Sequence, residues 1–234
     1  MITLDAIDCL MKLGFTRHES ILYVTLCREG ELTGYEAAKI SGIPRSNAYL
    51  ALAGLLEKGG VYRIESNTSK YTAVPVKELV HNMKNQLGEV FDYLETNIPV
   101  RSAAVDSYIT ISGKAHIINK MKNIIYSSGE RIYVSMAPKE LQYVAAELKG
   151  SVGRGLKVVV ITSPGYCLEG AVIYNNVKSP GQIRLIGDGS QVLTGEISGE
   201  GESTCLYSRN KNLIQLIKDS LTNEIRLIEL QIKK

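Results

Sequence analysis

No stretch of the sequence approaches the ~18 unbroken apolar residues of a membrane-spanning helix. The first ten residues already carry Asp5 and Asp8 and lack a basic run, which argues against a secretory signal peptide. Cysteine is sparse. Cys9, Cys27, Cys167 and Cys205 form no CxxC pair, and the three histidines, His18, His81 and His116, lie far from them. Neither a zinc site nor a disulfide framework is expected, and no cofactor. The plain reading is four free thiols in a reducing cytosol. An excess of one charge is also missing. The net charge is only +3, and residues 1–75 hold eight Lys/Arg against eight Asp/Glu. A nucleic-acid surface would therefore have to come from local placement of side chains, not from overall basicity. What is present is ordinary: 44% hydrophobic and 22% charged residues exclude a disordered chain, and 234 residues suit one large domain or two smaller ones.

The first 75 residues carry dense helix punctuation. Thr16-Arg17-His18-Glu19 and Thr33-Gly34-Tyr35-Glu36 both match the capping box, in which Thr caps a first-turn N–H and Glu reaches back to the Thr N–H. The first opens a helix through Ile21, Leu22, Val24 and Leu26 to about Gly30. The second opens a short helix through Ala37, Ala38 and Ile40 that ends at Ser41-Gly42, where Gly suits a left-handed residue. Ile43-Pro44 then starts a third, with Pro tolerated where an N–H has no intrahelical partner. Ala48, Leu52, Leu55 and Leu56 form its buried stripe, while Ser46, Leu50, Ala53 and Glu57 lie opposite, flanked by Asn47 and Tyr49.

Two helices around a tight glycine turn describe a helix-turn-helix, and the second has its polar residues where a recognition helix meets base edges. Val61–Glu65 and Lys70–Val74 flank the polar turn Ser66-Asn67-Thr68-Ser69, a hairpin placed as a wing. Double-stranded DNA is the expected partner. Arg45, Ser46, Asn47 and Tyr49 would face the major groove, and Arg63 and Lys70 the backbone phosphates. Helix-turn-helix geometry also occurs in proteins that bind no DNA. In that reading Tyr49 packs, and Arg63 and Lys70 are a solvated face.

These residues carry a family resemblance. Leu13-Gly14-Phe15-Thr16 with Glu19 and Tyr23, Ala37-Ala38-Lys39-Ile40-Ser41-Gly42-Ile43-Pro44-Arg45-Ser46, then Tyr49, Leu52, Leu55, Glu57-Lys58-Gly59, Tyr71 and Ala73-Val74-Pro75 resemble, in register, the N-terminal domain of the TrmB family of archaeal and bacterial regulators. The resemblance implies a DNA-binding winged helix. The position after Ser46 is often basic in that family. Here it is Asn47, and Asn pairs bidentately with adenine, which implies a different base preference.

Pro75 and Pro99 bracket residues 76–98, where Val76, Val80, Met83, Leu87, Val90 and Leu94 are spaced 4, 3, 4, 3, 4. That is a heptad seam. It reads as a parallel or antiparallel coil between two copies, or as an amphipathic helix packed on its own chain. The strict period favours the homodimer, and a coil between domains also resembles the TrmB arrangement.

Beyond it, strands are expected at 107–111, 131–135 and 157–161, with helices at 113–126 and 138–148 between them. The alternation predicts an α/β sheet with parallel pairing. Four shorter strands follow, around 171–174, 182–186, 191–196 and 203–208, and then a helix over about 210–230 with Ile214, Ile217, Leu221 and Ile228. In the TrmB family this half resembles a phospholipase D-like fold, whose enzymes need HxKxxxxD. His116 is followed by Ile117 and Ile118, so the Lys is absent, and no His lies beyond it. A non-catalytic regulatory half is expected. Gly153-Arg154-Gly155 and Gly187-Asp188-Gly189 complete neither a P-loop nor GxGxxG, and read as turns.

Longer members of the family bind sugars with an additional C-terminal subdomain. This chain ends at Lys234, before such a region, so sugar binding is not expected, and a small-molecule effector is left open. The domain expectation is 1–75 winged helix, 76–100 coiled-coil linker and 101–234 regulatory domain. The functional expectation is a cytoplasmic, homodimeric, sequence-specific transcription regulator. The rivals are a winged-helix protein that binds protein partners or DNA without preference, and a phospholipase D-like phosphodiesterase.

Overall fold

The structure, a computed structural model, describes residues 5–65, 68–99, 107–199 and 202–232. The turn residues Ser66 and Asn67, and the boundary residues 100–106, lie outside them. The chain divides into two compact units, Met1–Val100 and Arg101–Lys234.

The first unit runs α1 (Ala6–Lys12), α2 (Arg17–Glu29), β1 (Leu32–Thr33), α3 (Gly34–Ser41), α4 (Arg45–Glu57), β2 (Val61–Ile64), β3 (Lys70–Ala73) and α5 (Val76–Asn97). Both capping boxes form. Thr16 N–H donates to Glu19 Oε2 at 2.7 Å, and Thr33 N–H to Glu36 Oε2 at 2.8 Å. Gly42 is left-handed, with φ 71°. The core gathers Phe15, Leu22, Leu26, Ala37, Ala48, Leu52, Leu55, Val61 and Leu79. Sequence reasoning missed α1 and β1. A two-residue strand has no periodicity to detect. It exists because β3 offers a pairing edge, which makes the sheet three-stranded in the order β1-β3-β2, with Leu32 opposite Tyr71.

Several residues of the TrmB-like pattern have structural work here. Glu19 is buried and forms an ion pair with Lys58 at 2.7 Å, and Lys58 also donates to Gly14 O. A Cβ on Gly54 would lie 2.2 Å from Glu19 Oε1, so the glycine makes room for the carboxylate against α4. The Tyr23 hydroxyl donates to Val74 O at 2.8 Å and ties α2 to the end of the hairpin.

The second unit runs β4 (Tyr108–Ser112), α6 (Lys114–Ser127), β5 (Arg131–Met136), α7 (Pro138–Leu141), a 3₁₀ turn (Gln142–Val144), α8 (Ala145–Gly153), β6 (Lys157–Thr162), β7 (Val172–Asn175), β8 (Gln182–Gly187), β9 (Gln191–Glu196), β10 (Thr204–Ser208) and α9 (Lys211–Ile232). The seven strands form one sheet in the order β4-β10-β9-β8-β5-β6-β7. Alternating side chains divide between its faces. Ile132, Val134, Val158 and Val160 join Met121, Ile124 and Leu148 of the helices α6 and α8. Ile161, Ile186 and Val192 meet Ile214, Leu221 and Ile228 of α9. Burial on both faces accounts for the unbroken apolar run of β6.

Two expectations need correction here. Among the described residues only β5–β6 and β6–β7 pair in parallel. β4 does not adjoin β5, because the antiparallel run β8-β9-β10 stands between them and β4 closes the edge against β10. Short connections favour such local antiparallel pairing, which periodicity does not reveal. The helix expected over 138–148 is also split, where Val144 leaves helical geometry with φ −127° and ψ 12°.

Candidate nucleic-acid interface

The turn between α3 and α4 buries Ile43 and leaves Pro44 at the cap position of α4. α4 buries Ala48, Ala51, Leu52 and Leu55 against the core. Its other face, Ser46, Leu50, Ala53 and Glu57, is exposed, and Leu50 is 72% accessible.

The expected site residues fall into three settings. Arg45 and Ser46 are exposed at the start of α4, and Asn47 is half-buried beside them. The Arg45 guanidinium carbon lies 5.0 Å from the centroid of the Tyr35 ring. Tyr49 is exposed but packs: a Cβ on Gly34 would sit 2.6 Å from its Cε1. The absent side chain of Gly34 is thus the seat of the tyrosine ring. On the hairpin, Arg63 is exposed and donates from Nη2 to Ser69 Oγ at 3.1 Å, which spans β2 and the turn. Lys70 is half-buried opposite Thr33. The Thr33 N–H and hydroxyl, with Lys70 adding, hold the Glu36 carboxyl below its ordinary range. Lys70 therefore shares its charge with the cap of α3.

Tyr35 and Lys39, which line a hollow with Ala38, Ile43 and Arg45, read in the sequence only as part of a capping box and of the family pattern, not as site residues. A contact between an aromatic ring and a cation ten positions on, across a turn, leaves no local pattern.

On α5, Leu79 is buried in the core and Glu78 accepts from the Tyr62 hydroxyl, so the first turn is fastened to the hairpin. Along the heptad seam Met83 is half-buried against that core. Val76, Val80, Leu87, Val90 and Leu94 are exposed, Val90 to 51%.

In the second unit His116 is on the exposed side of α6. Gly187-Asp188-Gly189 is the β8–β9 turn, with φ 49° at Asp188 and 64° at Gly189. The Asp188 carboxylate accepts from Gly129, Glu130 and Arg131 N–H at 2.8, 2.9 and 2.9 Å. Three converging N–H donors make an anion cradle, and the protein's own carboxylate fills it. Gly153-Arg154-Gly155 closes α8, with Arg154 donating to Tyr126 O and Ile125 O. The four cysteines are free, and no helix among the described residues is long and apolar enough to cross a membrane.

Residues 10–77 match the family model described as the sugar-specific transcriptional regulator TrmB, and residues 108–227 match that of the TrmB EBD N-terminal subdomain. The chain belongs to the TrmB family. It is accordingly a transcription regulator with a DNA-binding winged helix. It is 29% identical over 237 residues to the uncharacterised protein YrhO of Bacillus subtilis, covering 97% of this chain and 86% of YrhO. It is 25% identical over 154 residues to the sugar-sensing regulator TrmBL1 of Pyrococcus furiosus, covering 64% of this chain and 45% of TrmBL1. Similar solved structures include TrmBL2, an archaeal chromatin protein, at 16% identity and TM-score 0.47, covering 94% of this chain and 96% of that one. Another is the phospholipase D family member Nuc of Salmonella typhimurium, at 12% and 0.39, covering 50% and 92%.

Proposed function

We propose that this TrmB-family protein is a homodimeric, sequence-specific DNA-binding regulator acting in the cytoplasm. The open outer face of α4 carries the reading: Ser46, Leu50 and Ala53, with Arg45 at its start, form an exposed surface small enough to enter a major groove. Arg45 and Asn47 supply edge donors and acceptors, Leu50 an apolar contact for a thymine methyl, and Tyr49 a fixed shoulder. Arg63 and Lys70 meet backbone phosphates.

The test uses a duplex that the protein enriches from a randomised pool, against a scrambled duplex, across a salt series. Asn47→Ala lowers affinity for the enriched duplex by about 1–3 kcal/mol more than for the scrambled one. Lys70→Ala weakens both alike and lowers the salt slope by about one unit per contact in each subunit. An unchanged affinity ratio for Asn47→Ala would show that this residue reads no base.

The exposed seam of α5 supports the dimer, because an apolar stripe of that length in water invites a second copy. Replacing Met83 and Leu87 with Asp converts the dimer to monomer in sedimentation. A variant that stays dimeric removes α5 from the interface. The 101–234 half has a regulatory, non-catalytic role: sensing an effector of unassigned chemistry, or supporting the dimer.

A further inference from the structure

Arg45 is the first residue of α4 and makes no ion pair among the described residues. Its guanidinium carbon lies 5.0 Å from the centroid of the Tyr35 ring, within the roughly 6 Å over which an aromatic face attracts a cation. Tyr35 is itself 53% exposed, so burial alone does not account for the ring's place. The two first turns are clamped next door, where Tyr49 seats its ring on Gly34 one helical turn along from Arg45.

We propose that Tyr35 is a positioning residue for base reading: it holds the Arg45 guanidinium ready for a guanine edge without touching a base itself. This rests on the sequence-specific reading above. The ring attracts the charge of the guanidinium and needs none of its N–H donors, whereas bidentate recognition of guanine O6 and N7 uses the donors on its edge. The two contacts are compatible on one side chain. A free arginine loses much rotamer freedom when it docks, and one already held on a ring has less to lose.

The probe is the enriched duplex with its scrambled control, and the readout is the ratio of the two dissociation constants. Thermal unfolding of each variant is measured alongside. Arg45→Ala lowers the ratio. Tyr35→Phe, which keeps the ring, leaves the ratio unchanged. Tyr35→Leu, which removes the ring, lowers it by up to about two- to fivefold for each subunit, the weight of an exposed cation–π contact. In an Arg45→Ala background, Tyr35→Leu has no further effect on the ratio. The inference is overturned if Tyr35→Leu leaves the ratio unchanged when Arg45 is present, or lowers it equally when Arg45 is absent. It also falls if Arg45→Ala is silent, since there is then nothing to position. Failure of the wild-type protein to enrich any sequence would instead sink the sequence-specific reading, and this inference with it.

Discussion

The two halves of the molecule are held together over different distances along the chain. In the winged helix the capping boxes span three positions, and its longer polar ties, Lys58 to Glu19 and Tyr23 to Val74, span 39 and 51. In the C-terminal half Tyr108 pairs with Ser208, and the Ser208 hydroxyl reaches Ser107 O across 101 positions. Closing longer loops costs more entropy before any contact forms. The lesson is that the half built from short-range signals also presents its candidate site on a short-range motif.

The largest effect is expected in the sheet of the C-terminal half, where the neighbouring strands β9 and β10 touch backbone to backbone. A Cβ on Gly195 would lie 2.4 Å from Thr204 O and 2.6 Å from Cys205 Cα. Gly195→Ala therefore forces β9 and β10 apart and costs about 3 kcal/mol, the upper end for overpacking. Segment-resolved hydrogen exchange checks it: protection falls throughout 108–227 and is unchanged in α2 and α4. Equal loss in both halves would break the comparison, because it would mean they unfold as one.

A smaller effect tests whether the winged helix also depends on a long-range tie. Lys58→Met leaves the buried Glu19 carboxylate without its cation. Loss of one partner from a fully buried pair costs several kcal/mol, and Lys58 is one-third exposed, so about 2 kcal/mol is expected. Urea titration of the isolated change would show it as a shift in midpoint at constant slope. A shift worth under about 0.5 kcal/mol would mean that local signals suffice for this half.

The smallest effect sharpens the contrast on the other side. Burial pushes the Asp188 carboxyl up, but the three N–H bonds from Gly129, Glu130 and Arg131, aided by the Arg131 charge, outweigh it and hold the group below its ordinary range. A depressed folded pKa adds stability above the unfolded value of about 3.9, and that stability is lost as pH falls through the folded value. Asp188→Asn accordingly lowers stability by about 1 kcal/mol at neutral pH, reduced for partial exposure. The gap from wild type stays level down to about pH 5 and closes below about pH 4. A gap that widens on acidification would assign the loop's stability to another group.

Much of the first half was legible in the residues themselves. Thr16 with Glu19, Thr33 with Glu36, and Gly42 state where helices begin and end, because caps satisfy backbone groups within one turn. The period of Ala48, Leu52 and Leu55 states which face of α4 is buried, and so which is free. Neighbouring residues therefore determined the winged helix, the place of α4 and the apolar stripe of α5. Only the tertiary structure decided that β4 joins β10 instead of β5, that Tyr49 rests on Gly34, that Glu19 meets Lys58, and that Tyr35 faces Arg45. Each of these joins residues whose separation in the chain carries no periodic signal. They meet because packing of the whole unit brings their surfaces together, and sequence pattern records periodicity within an element, not proximity between elements.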